Sequence, residues 1–179
     1  ESVETIVEAP VDQTSLTKRY TDRAVRFLEE NRQNPFFLYF AHTFPHSPQY
    51  ASVEFDGKSH GGIYGDTVEE LDWSVGRIIE TLCRLDLDRN TFVFFTSDNG
   101  PSRETRNWLD NNLDPYYGGT AGKFKGHKGS LFEGGIREPG IMHWPSKIQK
   151  GIVSSEPCAS MDIVPTLLDA IGVDLNKYS

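Results

Sequence analysis

Asp98 and Asn99 are the residues of this chain whose type and place most suit chemistry. They follow an apolar run, Thr91-Phe92-Val93-Phe94-Phe95-Thr96, and Gly100-Pro101 comes directly after them. A continuous apolar run of strand length, closed by a Gly/Pro break, predicts a strand buried on both faces, as in parallel sheets covered by helices. In open α/β sheets, ligands bind just beyond the carboxyl ends of strands. A carboxylate and an amide carbonyl at that place are the hard oxygen donors that Ca²⁺ or Mg²⁺ takes. Asp-Asn-Gly is equally the composition of an Asx turn, and taken alone it favours that turn. Two further groups change the balance. His46 lies in Phe44-Pro45-His46-Ser47-Pro48, at the end of a second apolar run (FFLYFA, 36–41), and Lys128 lies in Gly126-His127-Lys128-Gly129. Singly, each reads as a surface or structural side chain. Together, a carboxylate, an amide, an imidazole and an ammonium suit a tetrahedral oxyanion held at a divalent cation.

The elements that must position these groups follow from the pattern. Tyr20, Ala24, Phe27 and Leu28 share a helical face, so a helix is expected from Ser15 or Thr17 to about Asn31, with Asn34-Pro35 beyond its end. A second helix is expected from Asp66, with Glu69 completing a capping box. Val68, Leu71, Val75, Ile78, Ile79 and Leu82 would face a sheet, and Glu69, Glu70, Arg77 and Glu80 would face solvent. Run 36–41, this helix and run 91–96 form the strand–helix–strand order of a parallel sheet. A long irregular stretch rich in Asn, Asp, Gly and Tyr follows Pro101, and a loop of that length is usually functional. A shorter strand is expected over 139–145. A last helix opens at Ser160 or Met161 and runs through Ile171, with Pro165 in its first turn and Gly172 as its stop.

The bulk composition narrows the partners. The chain has 179 residues and a net charge of −8. That length allows one domain with a core, and the acidic balance argues against a nucleic-acid surface. No run is long and apolar enough for a transmembrane segment. Cys83 and Cys158 lack metal-ligand spacing, and Cys83 is expected as a buried thiol.

Five blocks carry a family resemblance: PFFLYFAHTFPHSPQ (35–49), YGDTVEELDWSV (64–75), FFTSDNGP (94–101), GHKGSLFEGGIREP (126–139) and MDIVPTLLDAIG (161–172). In this order they resemble the sulfatase family, within the alkaline-phosphatase-like superfamily, and most closely its calcium-dependent, formylglycine-using arylsulfatases. The resemblance implies an α/β fold with a mostly parallel sheet flanked by helices, here incomplete. It implies sulfate ester hydrolysis, with a small-molecule or glycan sulfate as substrate. Asp98 and Asn99 would ligate Ca²⁺, with Mg²⁺ the weaker candidate. His46 would bond the sulfate or the leaving oxygen, and Lys128 would bind sulfate and neutralise the departing alcohol. Glu133-Gly134-Gly135 and Arg137 would form a structural turn, and His42 and His127 would sit behind the site. The family's compartments are periplasmic, secreted or lysosomal.

The chain departs from the family pattern in three respects. The motif Cys/Ser-x-Pro-x-Arg, whose first residue becomes formylglycine, is not found: Cys83 precedes Arg84-Leu85, and Cys158 precedes Ala159-Ser160. The family's upstream acidic metal ligands and its Lys-x-His segment are also not found. Lys58-Ser59-His60 mimics the latter but lies after His46, and is read as a substrate-side loop. Residues 1–179 are therefore expected to be the C-terminal portion of one sulfatase catalytic domain, with the nucleophile outside it. Such a chain would bind Ca²⁺ poorly and not turn over alone, and a cut sheet would leave an unpaired edge. The alternatives are a phosphodiesterase or phosphonate monoester hydrolase of the same superfamily, and a non-catalytic, sulfatase-derived binding domain. Substrate recognition is expected in 49–63 and 102–125.

Overall fold

The computed structural model describes residues 6–103 and 118–174. It divides into two compact units, residues 1–148 and 149–179.

The first unit is built on two packed helices, α1 (Leu16–Glu30) and α2 (Gly62–Arg84). Leu16, Ala24 and Leu28 of α1 and Leu82 of α2 are buried, with Phe44 and Ala51 from the connecting loop. α1 ends close to where Asn34-Pro35 requires, and the Asn31 side-chain amide donates to the Phe27 carbonyl at 2.9 Å. α2 begins four residues before the expected capping box, at Gly62 rather than Asp66. Its buried face is also not the one that hydrophobic spacing selects. Asp66, Thr67, Glu70, Ser74, Thr81 and Leu82 are buried on α2, and Glu70, expected in solvent, is 1% exposed. Hydrogen bonds to the 42–59 loop hold Asp66, Glu70 and Ser74 inside, and bonds to α2 carbonyls satisfy Thr67 and Thr81, an option that periodicity of apolar residues does not register. Cys83 is exposed rather than buried, because it lies about 100° round the helix from buried Leu82.

The α1–α2 seam is polar at its centre. The Thr21 hydroxyl donates to the Thr17 carbonyl at 2.7 Å, which commits its single proton. The Ser74 hydroxyl, 2.6 Å away, therefore donates to Thr21 Oγ1. With that proton spent, Ser74 Oγ accepts from His42 Nε2–H at 3.2 Å. Bookkeeping thus fixes His42 in its Nε2–H form, with Nδ1 buried and unpartnered. Burial pulls the His42 pKa down from 6.5 to about 4.

Strand β1 (Val93–Thr96) pairs antiparallel with β2 (Gly140–His143), Val93 opposite His143 and Thr96 opposite Gly140. The expected parallel pairing and the burial of β1 on both faces are not met within the described residues. Residues 36–41 join no ladder, so the strand–helix–strand unit has only one of its strands in the sheet. With a single partner strand, Phe95 and all of β2 stay exposed. Segment 36–41 still alternates: Phe36, Leu38 and Phe40 are half-buried while Phe37 and Tyr39 are 70% and 81% exposed. One face packs and the other has no cover, the period-2 signature of a strand.

The second unit carries helix α4 (Ile163–Ala170), preceded by a 3-10 turn at Ser160–Asp162. Asp162 accepts the Ala159 amide at 2.7 Å, and Gly172, at φ +79°, ends the helix as expected.

Candidate active site

The β1–β2 register positions the acidic end of the site. Thr96 stands opposite Gly140, and its hydroxyl donates to the Pro139 carbonyl at 3.1 Å. The ladder ends there, and just beyond it Glu138 lies near enough to Asp98 for their charges to interact. Burial, and then the charge of Asp98, raises the Glu138 pKa above its ordinary value. Glu138 Oε1 is buried with no hydrogen-bond partner. No sequence motif pointed to this residue, because the antiparallel pairing that brings it near Asp98 is a tertiary outcome.

Beyond β1 the backbone is stitched to the lysine loop. The Gly100 amide donates to the Gly135 carbonyl at 3.1 Å, and the Lys128 amide donates to the Pro101 carbonyl at 3.0 Å. The Gly134 amide donates to the Lys125 carbonyl at 2.7 Å. A Cβ at Gly100 would lie 2.0 Å from the Gly134 carbonyl oxygen, so only glycine permits this backbone-to-backbone approach. Helix α3 (Glu133–Ile136) supplies the buried glycines, and Arg137 closes the turn with a 2.8 Å ion pair to Glu133 and a stack on the Phe124 ring. The packing function expected of this turn is thus visible in its contacts.

Asp98 is exposed and Asn99 half-buried at the strand end, with Lys128 half-buried on the loop bonded to it. The Lys128 ammonium makes no ion pair among the described residues. His127 Nδ1 donates to the Lys128 carbonyl at 2.9 Å. Pro101, Ser102, Arg103, Gly119 and Gly126 line a cavity of about 100 Å³ beside this loop. Residues 104–117 of the expected recognition stretch lie outside the described residues.

His46 is exposed on a separate loop that packs on α2. Its Nδ1 donates to the Ser47 carbonyl at 2.7 Å, which leaves Nε2 facing away with the lone pair. Among the described residues no hydrogen bond or ion pair joins His46 to Asp98, Asn99 or Lys128. The Lys128 amide thus ties the lysine loop to Pro101, two residues after Asn99, while His46 lies on a different loop.

The sulfatase family model matches residues 3–173. The chain belongs to the sulfatase family. It is 41% identical to the steryl-sulfatase of Homo sapiens over 95% of its own length and 28% of that protein's. It is 44% identical to the N-acetylgalactosamine-6-sulfatase of Mus musculus, covering 90% of this chain and 30% of that one. Among solved structures, the PsFucS1 sulfatase from Pseudoalteromonas sp. overlays with a TM-score of 0.79 at 28% identity, over 94% of this chain and 33% of that chain. The chain spans less than a third of the length of these curated relatives. The α/β, alkaline-phosphatase-like fold class is that of these sulfatases, and this chain holds a partial piece of it with a small sheet. No helix among the described residues is long and apolar enough to cross a membrane.

Proposed function

We propose that this chain is the part of a sulfuric ester hydrolase that carries the cation-binding strand end and the sulfate-binding lysine, with the nucleophile supplied from outside it. One observation supports the reading: the backbone bond from Lys128 to Pro101, which ties the lysine loop to the chain two residues after Asn99. The named relatives act as sulfatases, which favours sulfate over phosphodiester.

Asp98 and Asn99 offer adjacent carboxylate and amide oxygens, a donor set that fits Ca²⁺ better than a soft metal. Their surroundings fit too: Glu138 already registers the negative charge of Asp98, and a cation would relieve it. A bound Ca²⁺ supplies positive charge to the sulfate oxygens. Two ligands fall short of the six to eight that Ca²⁺ takes, so this chain alone binds it weakly. Lys128 neutralises the oxygen that departs when the S–O bond breaks, and His46 offers Nε2 to the sulfate or that oxygen.

The test is aryl sulfate turnover by the longer protein that contains this segment, with K128A and D98N beside the parent. Loss of turnover in both variants supports the reading. Full turnover in either removes that residue from the mechanism, and a parent active only on phosphodiesters favours the sister activity.

A further inference from the structure

Three polar side chains on α2, four residues apart, hold the loop that carries His46. Asp66, Glu70 and Ser74 are 2%, 1% and 0% exposed, and residues at i, i+4 and i+8 share one helix face. Each takes a different point of the loop. The Asp66 carboxyl accepts the amides of Gly57, Lys58 and Ser59 at 2.9, 3.1 and 2.7 Å. Glu70 Oε2 accepts the Ser52 amide at 2.9 Å. Ser74 Oγ accepts from His42 at 3.2 Å. His46 lies between the second and third anchors, four residues after His42 and six before Ser52. Lys58 and His60 stay exposed on the backbone that Asp66 holds.

We infer that Asp66, Glu70 and Ser74 form a polar ladder that positions the His46 turn and the Lys58–His60 loop, Ser74 and Glu70 being the positioning residues that flank the His46 turn. Polar anchors suit this task better than apolar ones. A hydrogen bond fixes both distance and direction of a named backbone group, whereas apolar packing tolerates sliding. Buried acids are rare unless bonded, and here two of the three rungs are acids with backbone amides as partners. The inference rests on the sulfatase reading only in giving His46 a function; the anchoring itself is independent of it.

The 179-residue chain, isotopically labelled, provides the test. Two readouts are followed: hydrogen exchange at the Ser52 amide, and the ring ¹⁵N pattern that reports whether His46 keeps its proton on Nδ1. In E70A the Ser52 amide is expected to exchange at least about tenfold faster, the worth of one lost hydrogen bond. The His46 ring should then lose its Nδ1–H preference while α1 and α2 amides stay protected. E70Q, whose amide oxygen accepts the same N–H, should restore both. An E70A chain that frees Ser52 yet keeps the His46 pattern overturns the inference, as does an E70Q chain that fails to rescue. If E70A does not fold, S74A decides by the same ring pattern: an unchanged His46 overturns, a shifted one supports. Neither readout involves turnover, so failure of the ladder and failure of the sulfatase reading are told apart.

Discussion

The Lys128 amide donates to the Pro101 carbonyl at 3.0 Å, two residues past Asn99. That bond belongs to the backbone, so the lysine loop keeps its place whatever side chain stands at 128. Lys128→Ala should therefore leave the unfolding free energy of the chain within about 0.5 kcal/mol of wild type. In the sulfuric ester hydrolase proposed above it should lower kcat/KM for an aryl sulfate by roughly 10²–10³-fold, as for other preorganised charge-stabilising groups. Paired denaturation and kinetic measurements check the split.

Gly100 tests the close approach directly. A methyl there meets the Gly134 carbonyl at 2.0 Å, and a carbonyl of the packed backbone cannot swing aside as a side chain would. Gly100→Ala is expected to cost about 1–3 kcal/mol in urea denaturation. Gly76 in α2 has nothing within 4 Å of its would-be Cβ, and Gly76→Ala should stabilise by roughly 0.5–1 kcal/mol. Opposite signs for the same substitution separate steric conflict from helix propensity.

His42 should make stability fall in mild acid. Its folded pKa is lowered to about 4 from 6.5, so the unfolded chain takes up the proton first. The neutral imidazole's contribution is complete above pH 6.5 and is lost as pH falls towards 4, where Nδ1–H would be buried with no acceptor. The slope is at most about 1.4 kcal/mol per pH unit, and the whole loss at most about 3 kcal/mol. His42→Gln should remove this part of the dependence. Urea midpoints at pH 7, 5.5 and 4.5 for both chains measure it.

Phe37 and Tyr39 present an uncovered apolar face, at 70% and 81% exposure, on an extended segment with no ladder partner. Such a face is expected to drive self-association. The double variant Phe37→Ser, Tyr39→Ser should shift the chain towards monomer in light scattering after size exclusion. Its helical melting should change little, because neither ring is buried in the α1–α2 core.

The residues determined the helix bounds near Asn31 and Gly172 and the positions of both strands, because those signals are local. Gly and Pro restrict φ and ψ wherever they stand, apolar runs of strand length read the same in any fold, and a family's motif blocks need no coordinates. Which groups meet was a tertiary outcome. Glu70 read as a solvent residue on spacing alone and is buried, since its partner, the Ser52 amide, approaches from eighteen positions away. Strand direction was likewise decided by β2 reaching β1 while residues 36–41 stay unpaired. Glu138 comes near Asp98 only because β2 folds back antiparallel onto β1. Hydrogen bonds between distant segments are short-ranged and directional, so no pattern along one segment can announce them; they exist only once the chain has brought both partners within about 3 Å.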